Sequence, residues 1–291
     1  MITIYTPTYN RAYKLSNLYQ SLLRQTNQNY VWLVMDDGST DNTKELIQNW
    51  INEKKIDIYY HYHENKGKQE TVNIAHQRIT TKLNVCVDSD DYLVDRAIEL
   101  IIKEWSKIND NDIAGLVGLD VYKNDEVVGT KFPKGICYEK FSNFKKKGIK
   151  GDKKFIYRTD IMKKYKYPTI ENEKFPAPGY IYRLIDEKYN LKLFNEPLCV
   201  VEYLDDGISK NKFNQLRNNP NSFLLYREER IRMAIDKIDL FKNYFHLGYT
   251  IIYSKKNPLE TKSSKILLLL TMPLSIFFYI YLELTNKKGV I

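Results

Sequence analysis

The sequence predicts an α/β fold: a mainly parallel central sheet with flanking helices, extended at its C-terminus by a helical region. Three observations carry this. Short apolar runs alternate with stretches whose apolar residues recur at helical spacing, the pattern of successive βαβ units. Runs such as Val31-Trp-Leu-Val-Met35 show no polar alternation, as strands buried on both faces require. Several runs end in polar or acidic residues, and ligands of open α/β sheets bind in the crevice beyond the strand ends.

In chain order, residues 1–6 form a β-rich run stopped by Pro7, and the polar loop Thr8-Tyr-Asn-Arg11 follows. Leu15, Leu18, Leu22 and Leu23 place a helix over 13–25. The strand 31–35 runs into Asp36-Asp-Gly-Ser-Thr-Asp41. Asp41 suits an N-cap, and Leu46, Ile47, Trp50 and Ile51 give the next helix its apolar face. A third strand over 56–63 leads through Asn65-Lys-Gly-Lys68 to a helix over 69–79, and Val85-Cys-Val87 then ends in Asp88-Ser-Asp-Asp91.

After Tyr92 the pattern changes. A helix over 96–108 precedes strands over 114–122 and 126–131, joined by an Asn124-Asp125 hairpin turn. A basic loop at 145–150, a strand at 155–158 and a short helix at 160–165 come next. A loop with Pro168, Glu171, Glu173, Pro176 and Pro178 leads to a helix over 179–188 and closing strands over 191–194 and 198–203. From about Phe213 the chain reads helical and basic, with no internal repeat or low-complexity segment.

A formal charge of +9 points to an anionic partner, phosphate or acidic lipid, and no motif supports nucleic acid. Cys86, Cys137 and Cys199 are far apart in apolar contexts, so they are expected as reduced, buried thiols of a cytosolic protein. Residues 1–5 already read as a strand, so no leader is expected there. His61 and His63 share a strand face with Tyr59, but without a third ligand zinc is not expected; His76 and His246 read as packing or surface residues.

Three carboxylates at one strand end carry a heavy desolvation cost unless paired or coordinated. Oxygen ligands there suit Mg²⁺ or Mn²⁺, which can clamp a diphosphate; the alternative is an acidic turn capping the following helix. Taken together and in order, Pro7-Thr-Tyr-Asn10, Asp36-Asp-Gly-Ser-Thr-Asp41, Asn65-x-Gly67-Lys68 with Asn73, and Asp88-Ser-Asp-Asp91 resemble the family 2 glycosyltransferases with the GT-A (Rossmann-like) fold. The resemblance covers residues 1–93 and weakens beyond.

It implies a catalytic domain over 1–210, with a nucleotide-binding half at 1–93 and an acceptor half at 94–210, followed by a basic helical region at 211–291. It implies a hexosyltransferase-type enzyme that uses a UDP-sugar with Mn²⁺ or Mg²⁺. Thr6, Pro7 and Tyr9 would border the base, Asp36 or Asp37 would accept the uracil N–H, and Lys68 would lie near base or phosphates. Asp88 would hold the ribose or a water on the metal, and Ser89 would belong to the nucleotide site; Asp90 would be the direct metal ligand, with Asp88 and Asp91 as further candidates. An inverting transfer needs a carboxylate base, for which Glu173, with Glu171 behind it, resembles the family's acidic motif, though Asn172 makes the match loose. Tyr203-Leu-Asp-Asp-Gly-Ile-Ser209 resembles a segment closing over the diphosphate, through Gly207 and Ser209.

The apolar run 266–284 approaches the length of a spanning helix, but Pro273 and Glu283 weaken that reading. Flanking lysines favour a segment lying in the cytoplasmic membrane interface, and hence a cytoplasmic protein peripheral on the inner face of the membrane. The expected acceptor is a lipid-linked saccharide in capsule, exopolysaccharide or teichoic-acid-like synthesis. A sugar nucleotidyltransferase would want a glycine-rich loop after the first strand, and Thr6 to Arg11 has no glycine. A non-catalytic sugar-nucleotide or membrane-binding module would keep the strand ends without needing Glu173.

Overall fold

A computed structural model describes residues 1–174, 177–202 and 212–287. The chain forms two compact units, Met1–Lys166 with Ile181–Tyr203, and Tyr167–Tyr180 with Leu204–Ile291. The first begins with the expected βαβ series: β1 (Ile2–Thr8), α1 (Ala12–Leu23), β2 (Tyr30–Asp37), α2 (Thr43–Glu53), β3 (Ile58–His63), α3 (Lys68–Arg78) and β4 (Leu83–Cys86). It continues with β5 (Tyr92–Leu93), α4 (Ala97–Trp105), β6 (Ile113–Val121), β7 (Tyr138–Glu139), β8 (Lys153–Arg158), α5 (Thr159–Met162), α6 (Tyr180–Asp186) and β9 (Asn190–Val200).

Among the described residues these strands make one nine-stranded sheet of order β3-β2-β1-β4-β8-β6-β9-β5, with β7 also on β9. The first four strands are parallel. Beyond β4 the sheet is mixed: β8 runs antiparallel to β4 and β6, while β6 and β9 are parallel. Every residue of β1 and β2 is buried, which is why neither run alternates. At the centre of the core Tyr19 stacks on Trp50 at 4.3 Å and Trp32 lies 5.9 Å from Trp50. Trp32 is fully buried, so Trp32→Ala should cost about 3–5 kcal/mol in a urea melt; a loss below about 1 kcal/mol would contradict this packing.

Pro7 does not stop the first strand, since β1 runs through it to Thr8, and three further expectations are corrected. The 126–131 strand is reduced to a single bridge, Val121 to Val127, although the Asn124-Asp125 turn forms with Asp125 at φ +64°. The Lys153 ammonium donates to the Val128 carbonyl, and Gly129, at φ +75°, presses against Lys150; a Cβ there would lie 2.2 Å from its carbonyl oxygen. The two closing strands are one, β9, whose register against β6 shifts between Val117 and Leu119 to admit Pro197. Cys137 is exposed rather than buried.

His76 is 3% exposed; its Nε2 meets the Tyr5 hydroxyl at 3.1 Å and its Nδ1 has no hydrogen-bond partner. Burial, helped by Lys163, lowers its pKa from 6.5 to about 4. The folded state therefore holds the ring neutral. The associated stability is complete above about pH 6.5 and is lost as pH falls through about 4, roughly 3 kcal/mol in all. His76→Gln should flatten the dependence of unfolding free energy on pH across this window; an unchanged slope would assign it elsewhere.

The second unit holds α7 (Lys212–Asn218), α8 (Pro220–Arg232), α9 (Lys237–Ser254) and α10 (Lys265–Lys287). Leu224, Tyr244, Leu247, Ile251 and Leu268 form its core. Gly248 of α9 lets α10 approach closely, since a Cβ there would lie 2.3 Å from the Ser275 hydroxyl. Glu283 is not stray: it accepts from the Tyr253 hydroxyl at 2.9 Å and pairs with Arg217 at 3.6 Å.

Candidate active site at the strand ends

The strand order places β2 on one side of β1 and β4 on the other, so the chain reverses direction across the sheet between β1 and β4. Such a switch point opens a crevice at the carboxyl ends of the strands. The β1–β2 ladder continues to Thr8 opposite Asp36, whereas the β1–β4 ladder ends at Tyr5 opposite Cys86. Tyr9-Asn10-Arg11 and Asp88–Asp91 follow the two strands that flank this gap. Tyr9 is 49% exposed. Thr6 and Pro7 lie inside β1; the Thr6 hydroxyl accepts from the Trp32 indole at 3.0 Å, while the buried Thr8 hydroxyl has no partner.

Asp36 is fully buried, and its oxygens accept from the Ser39 amide at 2.8 Å and the Tyr60 hydroxyl at 2.6 Å. Asp37, 5% exposed, accepts from the Lys66 amide at 2.7 Å and the Gly67 amide at 3.0 Å. Burial pushes the Asp37 pKa up against those amides and His63. Gly38 has φ +81°, and a Cβ would stand 2.7 Å from the Asn65 amide, so only glycine lets the β2 and β3 loops meet. Asp41 sits one residue before the helix cap: it accepts from Thr43 at the start of α2 and from the Ala12 amide at the start of α1.

Lys68, the first residue of α3, reaches Asp88 at 2.6 Å. Both side chains keep about a third of their surface open, 35% and 38%, so the pair lines a solvated crevice and its strength is screened. Burial works against charge on both, yet Asp88 raises the Lys68 pKa while Lys68 and Lys154 hold Asp88 low. Asp90, partly exposed, is raised by burial and by Asp88, with Lys68 and Arg11 opposing. Ser89 is 7% exposed and Asp91 9%. Asp91 is raised to about 7, by burial first and then by Asp88 and Asp90 against Lys154.

In the second unit Glu173 accepts four hydrogen bonds at the start of α8. Oε1 takes the Asn221 amide and side chain at 2.9 and 2.8 Å; Oε2 takes the Ser222 amide and hydroxyl at 2.6 Å each. It thus satisfies N–H groups that a helix start leaves orphaned. Asn172, at φ +60°, turns the chain between Ile170 and Glu173, and Glu171 is exposed. Gly207 and Ser209 lie outside the described residues.

The family described as Glycosyl transferase family 2 matches residues 3–166, more than half of the chain. The chain belongs to that family. This family 2 glycosyltransferase is 26% identical over 270 residues to UDP-Glc:alpha-D-GlcNAc-diphosphoundecaprenol beta-1,3-glucosyltransferase WfgD of Escherichia coli, covering 91% of this chain and 98% of that one. S. aureus TarS 1-349 in complex with UDP-GlcNAc superposes with TM-score 0.62 at 16% identity, over 94% of this chain and 80% of that one. The mannosyltransferase PcManGT from Pyrobaculum calidifontis, solved with GDP-Man and Mn2+, gives TM-score 0.57 at 14% identity, over 99% and 84%. These solved structures establish the GT-A fold.

The glycosyltransferase carries a charged group under the site that sequence reasoning missed. Lys154 of β8 is 8% exposed, and its ammonium lies 3.7 Å from Asp91 and 3.9 Å from Asp120 of β6. Burial, more than any other cause, raises Asp120 to about 6. No local pattern announces these two residues, because antiparallel pairing of distant strands brings them to Asp91. Among the described residues no three His, Cys, Asp or Glu side chains converge as a metal cage. Asp88 and Asp90 still fit Mg²⁺ or Mn²⁺, which commonly take one or two carboxylates and draw remaining ligands from phosphate and water.

Proposed function

We propose that this enzyme is an inverting, metal-dependent glycosyltransferase that moves a sugar from a UDP-sugar to a lipid-linked saccharide in bacterial surface polysaccharide synthesis. One observation supports the donor half: in a family 2 chain, Lys68 pairs with Asp88 beside Asp90, just past β4 and next to the strand β1 that precedes Tyr9 and Arg11. The likeness to WfgD, whose name specifies a diphosphoundecaprenol-linked acceptor, supports the acceptor half.

In this reading Tyr9 stacks on the base and Asp37, or its neighbour Asp36, accepts the uracil N–H. Asp88 and Asp90 hold the divalent ion, which neutralises charge on the departing diphosphate when bound. Lys68 and Arg11 supply further positive charge to that group. Glu171 takes the acceptor's proton, because all four bonds of Glu173 are spent on α8. Screening UDP-sugars for metal-dependent UDP release tests the scheme; no release with any donor would contradict it.

We further propose that α10 lies in the cytoplasmic membrane interface, holding the enzyme on the inner face. It is long and apolar enough to cross a membrane, but one face packs on α9 and the other exposes Ile266, Leu270, Phe277, Tyr281 and Leu284. That stripe, at helical spacing with lysines nearby, suits an anionic lipid surface. Leu270→Glu with Phe277→Glu should reduce flotation with anionic vesicles by at least about tenfold. Flotation equal to wild type would place the anchor elsewhere.

A further inference from the structure

We propose that Lys154 is a positioning residue for the Asp88–Asp91 turn, pinning Asp91 to the sheet so that Asp88 and Asp90 are the carboxylates presented to the crevice. This rests on the metal and diphosphate reading above.

Lys154 sits within β8, opposite Gly118 of β6. At 8% exposure it is an unusual place for an ammonium unless charge compensation requires it. Its partners, Asp91 and Asp120, are 9% and 2% exposed. One Asp120 oxygen, Oδ1, has no hydrogen-bond partner, so the lysine 3.9 Å away is its compensation. Asp91 is held from a second side, where its Oδ1 accepts from the Glu202 amide at 3.3 Å, just past the end of β9. Its own amide donates to the Asp88 carbonyl at 3.0 Å and closes the turn. The turn is thereby tied to both β8 and the β9 end through one carboxylate. Asp88, with 38% of its side chain open, and the partly exposed Asp90 are left toward solvent. A methionine would fill the same space as Lys154 but could not hold Asp91.

The test uses the full chain and Mn²⁺, titrated by electron paramagnetic resonance in the presence of UDP, with the melting temperature recorded in parallel. K154M should raise the apparent Mn²⁺ Kd by about tenfold or more, as loss of support behind a ligand does. The double variant K154M/D120N removes the lysine and its buried counter-charge together. It should be at least as stable as K154M yet still bind Mn²⁺ weakly, and it decides the matter if K154M does not fold. Wild-type Mn²⁺ affinity in folded K154M, or its restoration in the double variant, would overturn the proposal and leave Lys154 as a mere counter-charge for Asp120. Absence of UDP-dependent Mn²⁺ binding in the wild type would instead sink the metal reading, and the role of Lys154 with it.

Discussion

Asp90→Asn should lower metal-dependent UDP release on the order of 10³-fold while leaving the fold intact. Asp90 is a partly exposed acid of a turn in which Asp91 is committed to Lys154 and the Glu202 amide, and in which Asp88 already shares its charge with Lys68. Its pKa is raised by burial and by Asp88, so the site carries negative charge that a divalent ion would relieve. Asn keeps the shape and removes the charge, so the melting temperature should hold while Mn²⁺ binding weakens with turnover. Turnover within about threefold of wild type would be too small a change for a lost metal ligand.

Glu171→Gln and Glu173→Gln should separate catalysis from architecture. Loss of a general base costs about 10²–10⁴-fold, so Glu171→Gln should lose turnover with UDP binding and melting temperature unchanged. Glu173→Gln puts an NH₂ group where four donors now converge. Like other lost caps it should cost about 1–2 kcal/mol of stability, or roughly 2–8 °C in melting temperature. Its turnover should fall far less than that of Glu171→Gln. The reverse pattern, a silent Glu171→Gln and an inactive but fully stable Glu173→Gln, would return the base to Glu173.

The parallel half of the sheet was legible because its signals are local. Unbroken apolar runs mark β1 and β2, and an abrupt change from Val87 to Asp88 marks a strand end. The second half depends on distant pairing. The 126–131 stretch has strand-forming residues but is diverted where Gly129 meets Lys150, and two strand runs fuse into β9 across a register shift. The same distinction governs the site. The acids at 36–37 and 88–91 could be read as strand ends, but nothing local shows that Asp36 is spent on Ser39 and Tyr60. Nor does sequence spacing reveal that Glu173 caps a helix beginning at Pro220, or that Lys154 lies beneath Asp91.

The most direct test is a crystal structure with UDP and Mn²⁺ bound, in which anomalous scattering locates the ion. One strong peak is expected between the diphosphate and Asp90, in the gap between β1 and β4, with the uracil ring against Tyr9. A diphosphate bound away from Asp90, with no ion between them, would contradict it.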